Sequence, residues 1–135
     1  MMEPRTATRG QAIQIAAWYW LPLFAWMVII FYLSSRPSLP GPPDPWMDLL
    51  LKKGGHFCVH GVLAFLWWRV LSRGRRRAWT PLLGALVLTT LYAISDEYHQ
   101  SLVPGRQPRV VDVVIDASGA AIALGIVWLR ERRTG

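Results

Sequence analysis

Asp96-Glu97-Tyr98-His99-Gln100 closes an apolar stretch of this chain, and Pro104-Gly105-Arg106 follows within a few residues. Lys52-Lys53-Gly54-Gly55-His56 opens a second apolar stretch, and Asp112 and Asp116 stand near the start of a third. Residues of these types bind anions, move protons or ligate metals. Arg106 with Lys53 suits a phosphate, the arginine through its bidentate fork. Glu97, Asp96 and His56 form a candidate acid/base set. His56, His60 and a carboxylate suit a divalent metal, because imidazole and carboxylate serve several of them. His60 and Asp116 also suit a proton relay. A bilayer tolerates such groups only where they face one another or water.

Helical spacing gathers them onto faces. Lys53, His56 and His60 are three and four residues apart and share one face, with His60 about 6 Å deeper than His56. Asp96 lines up with His99 and Gln100, and Glu97 with Gln100, provided the helix continues past Ser95. Asp112 and Asp116 are four apart, with Gly119 one turn further on. Pro104-Gly105-Arg106 fits a turn that aims Arg106 back at the helix ends, since glycine permits the backbone a turn needs. Ser34 and Ser35 read as caps of the first apolar helix.

The elements that position these residues are apolar helices. Of 135 residues, 53% are hydrophobic, 17% are charged and eight are tryptophan, more apolar surface than so short a soluble domain can hide. Four stretches read as membrane spans, 13–33, 56–71, 79–95 and 110–129, the first uncharged throughout and long enough for a hydrocarbon core of about 30 Å. Arg5 and Arg9 precede the first span as in a signal peptide, but its length and the lack of a small-x-small site predict a retained anchor. The formal charge of +7 lies in short clusters beside the spans, which is what membrane topology produces, and no nucleic-acid signature is present. Nucleic acid is therefore not an expected partner.

Orientation follows from the same clusters. With four spans, the N-terminus, middle loop and C-terminus hold ten Lys and Arg residues, including Arg73, Arg75, Arg76 and Arg77, and the other two loops hold five. This places both termini in the cytoplasm. Trp18, Trp20, Trp67, Trp68, Trp79 and Trp128 fall at the cytoplasmic ends as an interfacial belt. The first outer loop carries Pro37, Pro40, Pro42, Pro43 and Pro45 and reads as stiff and extended. Asp44-Pro45 reads as an N-cap followed by proline at the first helical position, opening a short interfacial helix over residues 46–51. Gly119 and Ala123 read as a small-residue edge for close helix packing. Cys58 is the only cysteine, so no intrachain disulfide forms, and it reads as a packed thiol.

On this topology every unusual ionisable group falls on the outer side, at one depth of three helices. Simple ion pairing between helices is a competing explanation. Interhelical polar contacts in membranes are worth only about 1 kcal/mol each, which favours a ligand-binding or catalytic pocket over adhesion alone.

Several blocks together resemble the VanZ-like family: Phe31-Tyr32-Leu33-Ser34-Ser35-x-Pro37, Lys53-x-x-His56-Phe57, and Ser95-Asp96-Glu97-x-x-Gln100 with Pro104-Gly105-Arg106 and Asp112. The blocks occur in that order and span most of the chain. The resemblance implies a small integral membrane protein of the bacterial envelope, in a family named for a protein associated with low-level teicoplanin resistance. It marks Lys53, His56, Asp96, Glu97, Gln100, Arg106 and Asp112 as matching positions. His60 stands where the family often has tyrosine, and Asp116 where asparagine is common. A metal site or relay built on those two is thus not implied by the family, and no metal or cofactor is expected.

The sequence therefore predicts an all-α, four-transmembrane-helix bundle of the bacterial inner membrane, with a short interfacial helix in the first outer loop. Its outward pocket is expected to engage a phosphorylated lipid or cell-wall precursor, held by Lys53, Gln100, Arg106 and Asp112. An enzyme modifying that lipid, with Glu97, Asp96 and His56 as acid/base groups, is the alternative. A structural or assembly protein is the third.

Overall fold

A computed structural model of the chain describes residues 8–37, 41–73 and 78–133. Arg5, Pro40, Arg75, Arg76 and Arg77, which enter the loop readings above, lie outside the described residues. Four helices account for most of the rest: α1 (Arg9–Ser34), α2 (Pro45–Leu71), α3 (Trp79–Ser101) and α4 (Val110–Arg133). No strand occurs among the described residues. Three of the helices, α1, α2 and α4, are long and apolar enough to cross a membrane.

Local chemistry sets the helix starts. Thr8 caps α1 through a reciprocal pair, its hydroxyl accepting from Gln11 N–H and the Gln11 side chain accepting from Thr8 N–H, so two orphan donors are satisfied together. Asp44 caps α2 by accepting from the N–H groups of Trp46 and Met47, with Pro45 at the first position. The short helix read from Asp44-Pro45 is thus the first two turns of α2, continuous with the second span. Helix α3 runs unbroken through Asp96 and Gln100 to Ser101. The condition for a shared polar face on that helix is met.

Pro22 lies inside α1. A proline has no N–H to give the carbonyl one turn back, which here belongs to Trp18. The Arg69 guanidinium of α2 donates to that carbonyl at 3.4 Å and lies over the Trp18 and Tyr19 rings. A backbone group freed by sequence is thus satisfied by a neighbouring helix, as membrane segments require.

Two apolar clusters hold the bundle. Leu23 and Ile30 of α1 pack on Leu63, Leu66 and Val70 of α2. On the other face of α2, Ala64 meets Leu82 and Ala85 of α3 and Ala120 and Leu124 of α4. Hydrogen bonds add to the first helix's attachment: Trp26 Nε1 donates to Val59 O at 3.0 Å, and Tyr92 Oη to Met27 O at 2.7 Å. The closest approach is between α2 and α4. A Cβ on Gly61 would come within 3.2 Å of the Gly119 carbonyl, and one on Gly119 would overlap the Phe57 carbonyl. The small-residue edge is the contact that sets the spacing of these two helices.

The outside of the bundle is apolar. Leu21, Phe24 and Val28 on α1, Leu83, Val87, Leu91 and Ile94 on α3, and Val114, Ile122 and Ile126 on α4 are all exposed. A patch this continuous is not the surface of a soluble monomer. Cys58, expected to be packed, is exposed on the outer side of α2 beside Phe57, Val62 and Phe65.

Candidate functional site

The polar groups collect at one end of the bundle, formed by the end of α1, the start of α2, the end of α3 and the start of α4. The opposite end carries Trp18, Trp20, Trp67, Trp68, Trp79 and Trp128. There Trp20 meets Trp67 edge-on at 6.4 Å, Trp79 lies 5.5 Å from Trp128, and Arg132 sits 3.9 Å above the Trp128 ring. The two ends are chemically distinct.

Between α2 and α4 the two polar stripes pair in register. Lys53 is salt-bridged to Asp112 through Nζ and Oδ1. One turn deeper, Asp116 Oδ1 lies 3.4 Å from His56 Nδ1 and 3.2 Å from His60 Nδ1. Asp116 is 0% and His60 1% exposed, so this part of the cluster is sealed. The approach of Gly119 to Phe57 brings the stripes together. A wider crossing would separate Asp116 from both imidazoles.

A second network joins α1 to α3. Asp96 Oδ2 accepts from Ser34 Oγ at 2.8 Å and from Gln100 Nε2 at 2.9 Å, and all three residues are buried. Ser34, read as a cap, is therefore part of the polar interior. Its place in the Phe-Tyr-Leu-Ser-Ser block was the one signal for this. Ser35 does serve as a cap, donating to Phe31 O at 2.7 Å, and it also contacts His99 Nε2 at 3.0 Å. His99 stacks on Phe31 and so turns away from Asp96 and Gln100.

The loop between α3 and α4 closes the end. Gly105 has φ of +84°, a conformation that favours glycine, and the turn read from Pro104-Gly105-Arg106 is present. Arg106 points back at α1, donating from Nε to Arg36 O at 3.0 Å and from Nη2 to Leu33 O at 3.2 Å. It thereby satisfies carbonyls at the end of that helix. Glu97 accepts from Arg109 N–H at 3.0 Å through one oxygen, while its other oxygen is buried without a hydrogen-bond partner.

The structure thus brings Lys53 to Asp112, and Asp96 to Gln100, but it does not bring Lys53 to Arg106. The two cations expected to share an anion lie on different contacts. Lys52 instead lines a cavity of about 240 Å³ with Arg106, Ser34, His56, His60 and Asp96. Apolar side chains of Ile30, Leu33, Leu51 and Val59 complete its wall. Lys52 was missed because both lysines of the pair fit the helical pattern equally well. Only the rotation of α2 distinguishes them.

An apolar-skinned helical bundle whose buried ionisable groups are gathered at one end is organised as a membrane protein is, with polar side chains turned from lipid toward each other. Residues 18–131 match the family model VanZ/LLP1, and the chain belongs to that family. No curated protein and no solved structure matches it.

Proposed function

We propose that the cavity at the polar end receives the phosphorylated head group of a membrane lipid or lipid-linked cell-wall precursor. The observation that carries this reading is the lining itself. Arg106, Lys52, His56 and Ser34 line it together with Ile30, Leu33 and Val59, Lys52 being paired with Asp48 at 2.7 Å, a combination suited to a molecule that is anionic at one end and apolar at the other. A guanidinium has five N–H donors, and Arg106 uses two on carbonyls. The remaining donors suit phosphate oxygens. Lys53 and Asp112 brace the neighbouring helices in this reading, and Gln100 holds Asp96.

The bundle lies in the bacterial inner membrane with all four helices crossing and both termini in the cytoplasm. Helix α3 contacts the other helices on one face and exposes apolar residues on the other, which supports its crossing with them. The cavity then opens to the outer side, where cell-wall precursors are used. A precursor as occupant ties the site to teicoplanin susceptibility.

Binding of a short-chain polyprenyl phosphate to the full chain in nanodiscs tests the reading. Arg106→Gln and Lys52→Gln are each expected to weaken binding about tenfold, the loss of one charge-assisted contact of about 1.4 kcal/mol. Absence of binding by the wild-type chain, or binding by both variants as tight as by wild type, would reject it.

A further inference from the structure

The cluster of His56, His60 and Asp116 does not look finished as a set of hydrogen bonds. Both carboxylate oxygens of Asp116 are buried with no hydrogen-bond donor, as are His56 Nδ1 and His60 Nε2. His60 Nδ1 lies 3.1 Å from the His56 carbonyl and 3.2 Å from Asp116 Oδ1, so its one N–H is divided between two acceptors. A carboxylate at 0% exposure whose near partners are two imidazole nitrogens at ion-pair distance, neither in hydrogen-bond geometry, is under-satisfied, because burial removes the water that would otherwise solvate it.

The distances answer to a different chemistry. The two imidazole nitrogens lie 3.4 and 3.2 Å from Asp116 Oδ1, and one ligand atom from each of the three residues falls within 4.8 Å of the others. Metal–ligand bonds of about 2.0–2.1 Å in a tetrahedron set ligand atoms about 3.3 Å apart. Two imidazoles and one carboxylate make a common three-ligand set that leaves a fourth position open. His56 and His60 also line the cavity.

We propose that His56, His60 and Asp116 bind one divalent transition-metal cation of the Zn²⁺ type, tying α2 to α4. The cation satisfies the carboxylate and accepts imidazole nitrogens, with His60 Nδ1 exchanging its contact to the His56 carbonyl for the metal and its proton moving to Nε2, so that the imidazole stays neutral. The family pattern spoke against a metal, because His60 and Asp116 depart from it. The fully buried acid opposite the two histidines, carried by another helix, changes that. This site stands whether or not a lipid occupies the cavity.

The test uses the full chain purified in detergent, stripped with chelator and dialysed against Zn²⁺, with metal counted by elemental analysis. One Zn²⁺ per chain is expected, with affinity falling at least tenfold in His60→Gln and in Asp116→Asn and unchanged in His99→Gln. A second measurement needs no variant: Co²⁺ added to the stripped wild-type chain is expected to give the intense visible bands of a tetrahedral site without a thiolate charge-transfer band. Failure to retain stoichiometric Zn²⁺, variants that bind like wild type, or a weak six-coordinate Co²⁺ spectrum would each overturn the proposal. A thiolate band would move the metal to Cys58 and overturn it equally.

Discussion

Gly119 of α4 lies against the main-chain carbonyl of Phe57 in α2, closer than any side-chain carbon at that position would permit. The same contact that fixes the helix crossing therefore sets the distance from Asp116, three residues before Gly119 in α4, to His56 and His60, one residue before and three after Phe57 in α2. Packing and site geometry are one property here.

Gly119→Ala is accordingly expected to destabilise the bundle by roughly 1–3 kcal/mol, the usual cost of overpacking, because the obstacle is backbone and cannot rotate aside. Gly125→Ala, also in α4 with nothing within 4 Å of the added carbon, is expected to be neutral or to gain up to about 1 kcal/mol from helix propensity. Reversible unfolding in detergent measures both. Equal stability of the two variants would remove the close contact as the determinant.

Asp96→Ala is expected to cost roughly 1–3 kcal/mol, since it leaves the buried Ser34 and Gln100 donors without their shared acceptor. Ser34→Ala removes a single donor and is expected to cost less, about 1 kcal/mol. Thermal unfolding of the two purified variants checks the order. A larger loss in Ser34→Ala would contradict the hydrogen-bond assignment.

Lys53 and Asp112 form a partly shielded pair with side chains 29% and 13% exposed. Removing one charge strands the other, whereas removing both strands none. Lys53→Met and Asp112→Leu are each expected to destabilise by roughly 1–3 kcal/mol, and the double variant by clearly less than their sum. An additive double-mutant cycle would show that the two side chains do not interact.

Orientation is open to labelling in a Cys58→Ser background. An impermeant maleimide applied to intact cells is expected to modify Gln107→Cys at the polar end, and to reach Arg132→Cys at the tryptophan end only after permeabilisation. The reverse pattern would invert the bundle and turn the cavity toward the cytoplasm.

The helices and their shared polar end were legible because charge-free runs and the alternation of antiparallel spans are local properties of the chain. The stripes Lys53-His56-His60 and Asp112-Asp116 were legible for the same reason, as spacings of three and four. Which stripes meet was not. Periodicity places residues on a face, but the rotation of each helix is fixed by distant contacts such as Gly61 with Gly119 and Tyr92 with Met27. That rotation sends Lys53 to Asp112 and leaves Lys52 beside Arg106. It also buries Ser34, which a purely local reading took for a cap. Helix α2 runs from Pro45 through Gly54-Gly55, a pair that ordinarily weakens a helix, and so joins the short helix and the second span into one element.

That continuity has a consequence for access. At 1.5 Å per residue the 27 residues of α2 measure about 40 Å, some 10 Å beyond a hydrocarbon core of about 30 Å. With tryptophans moored at the far interface, the excess emerges at the polar end, carrying Asp48 and Lys52 among the lipid head groups. One wall of the cavity therefore stands taller than the membrane it is set in. A lipid ligand of the kind proposed would meet that wall from the side, at head-group height.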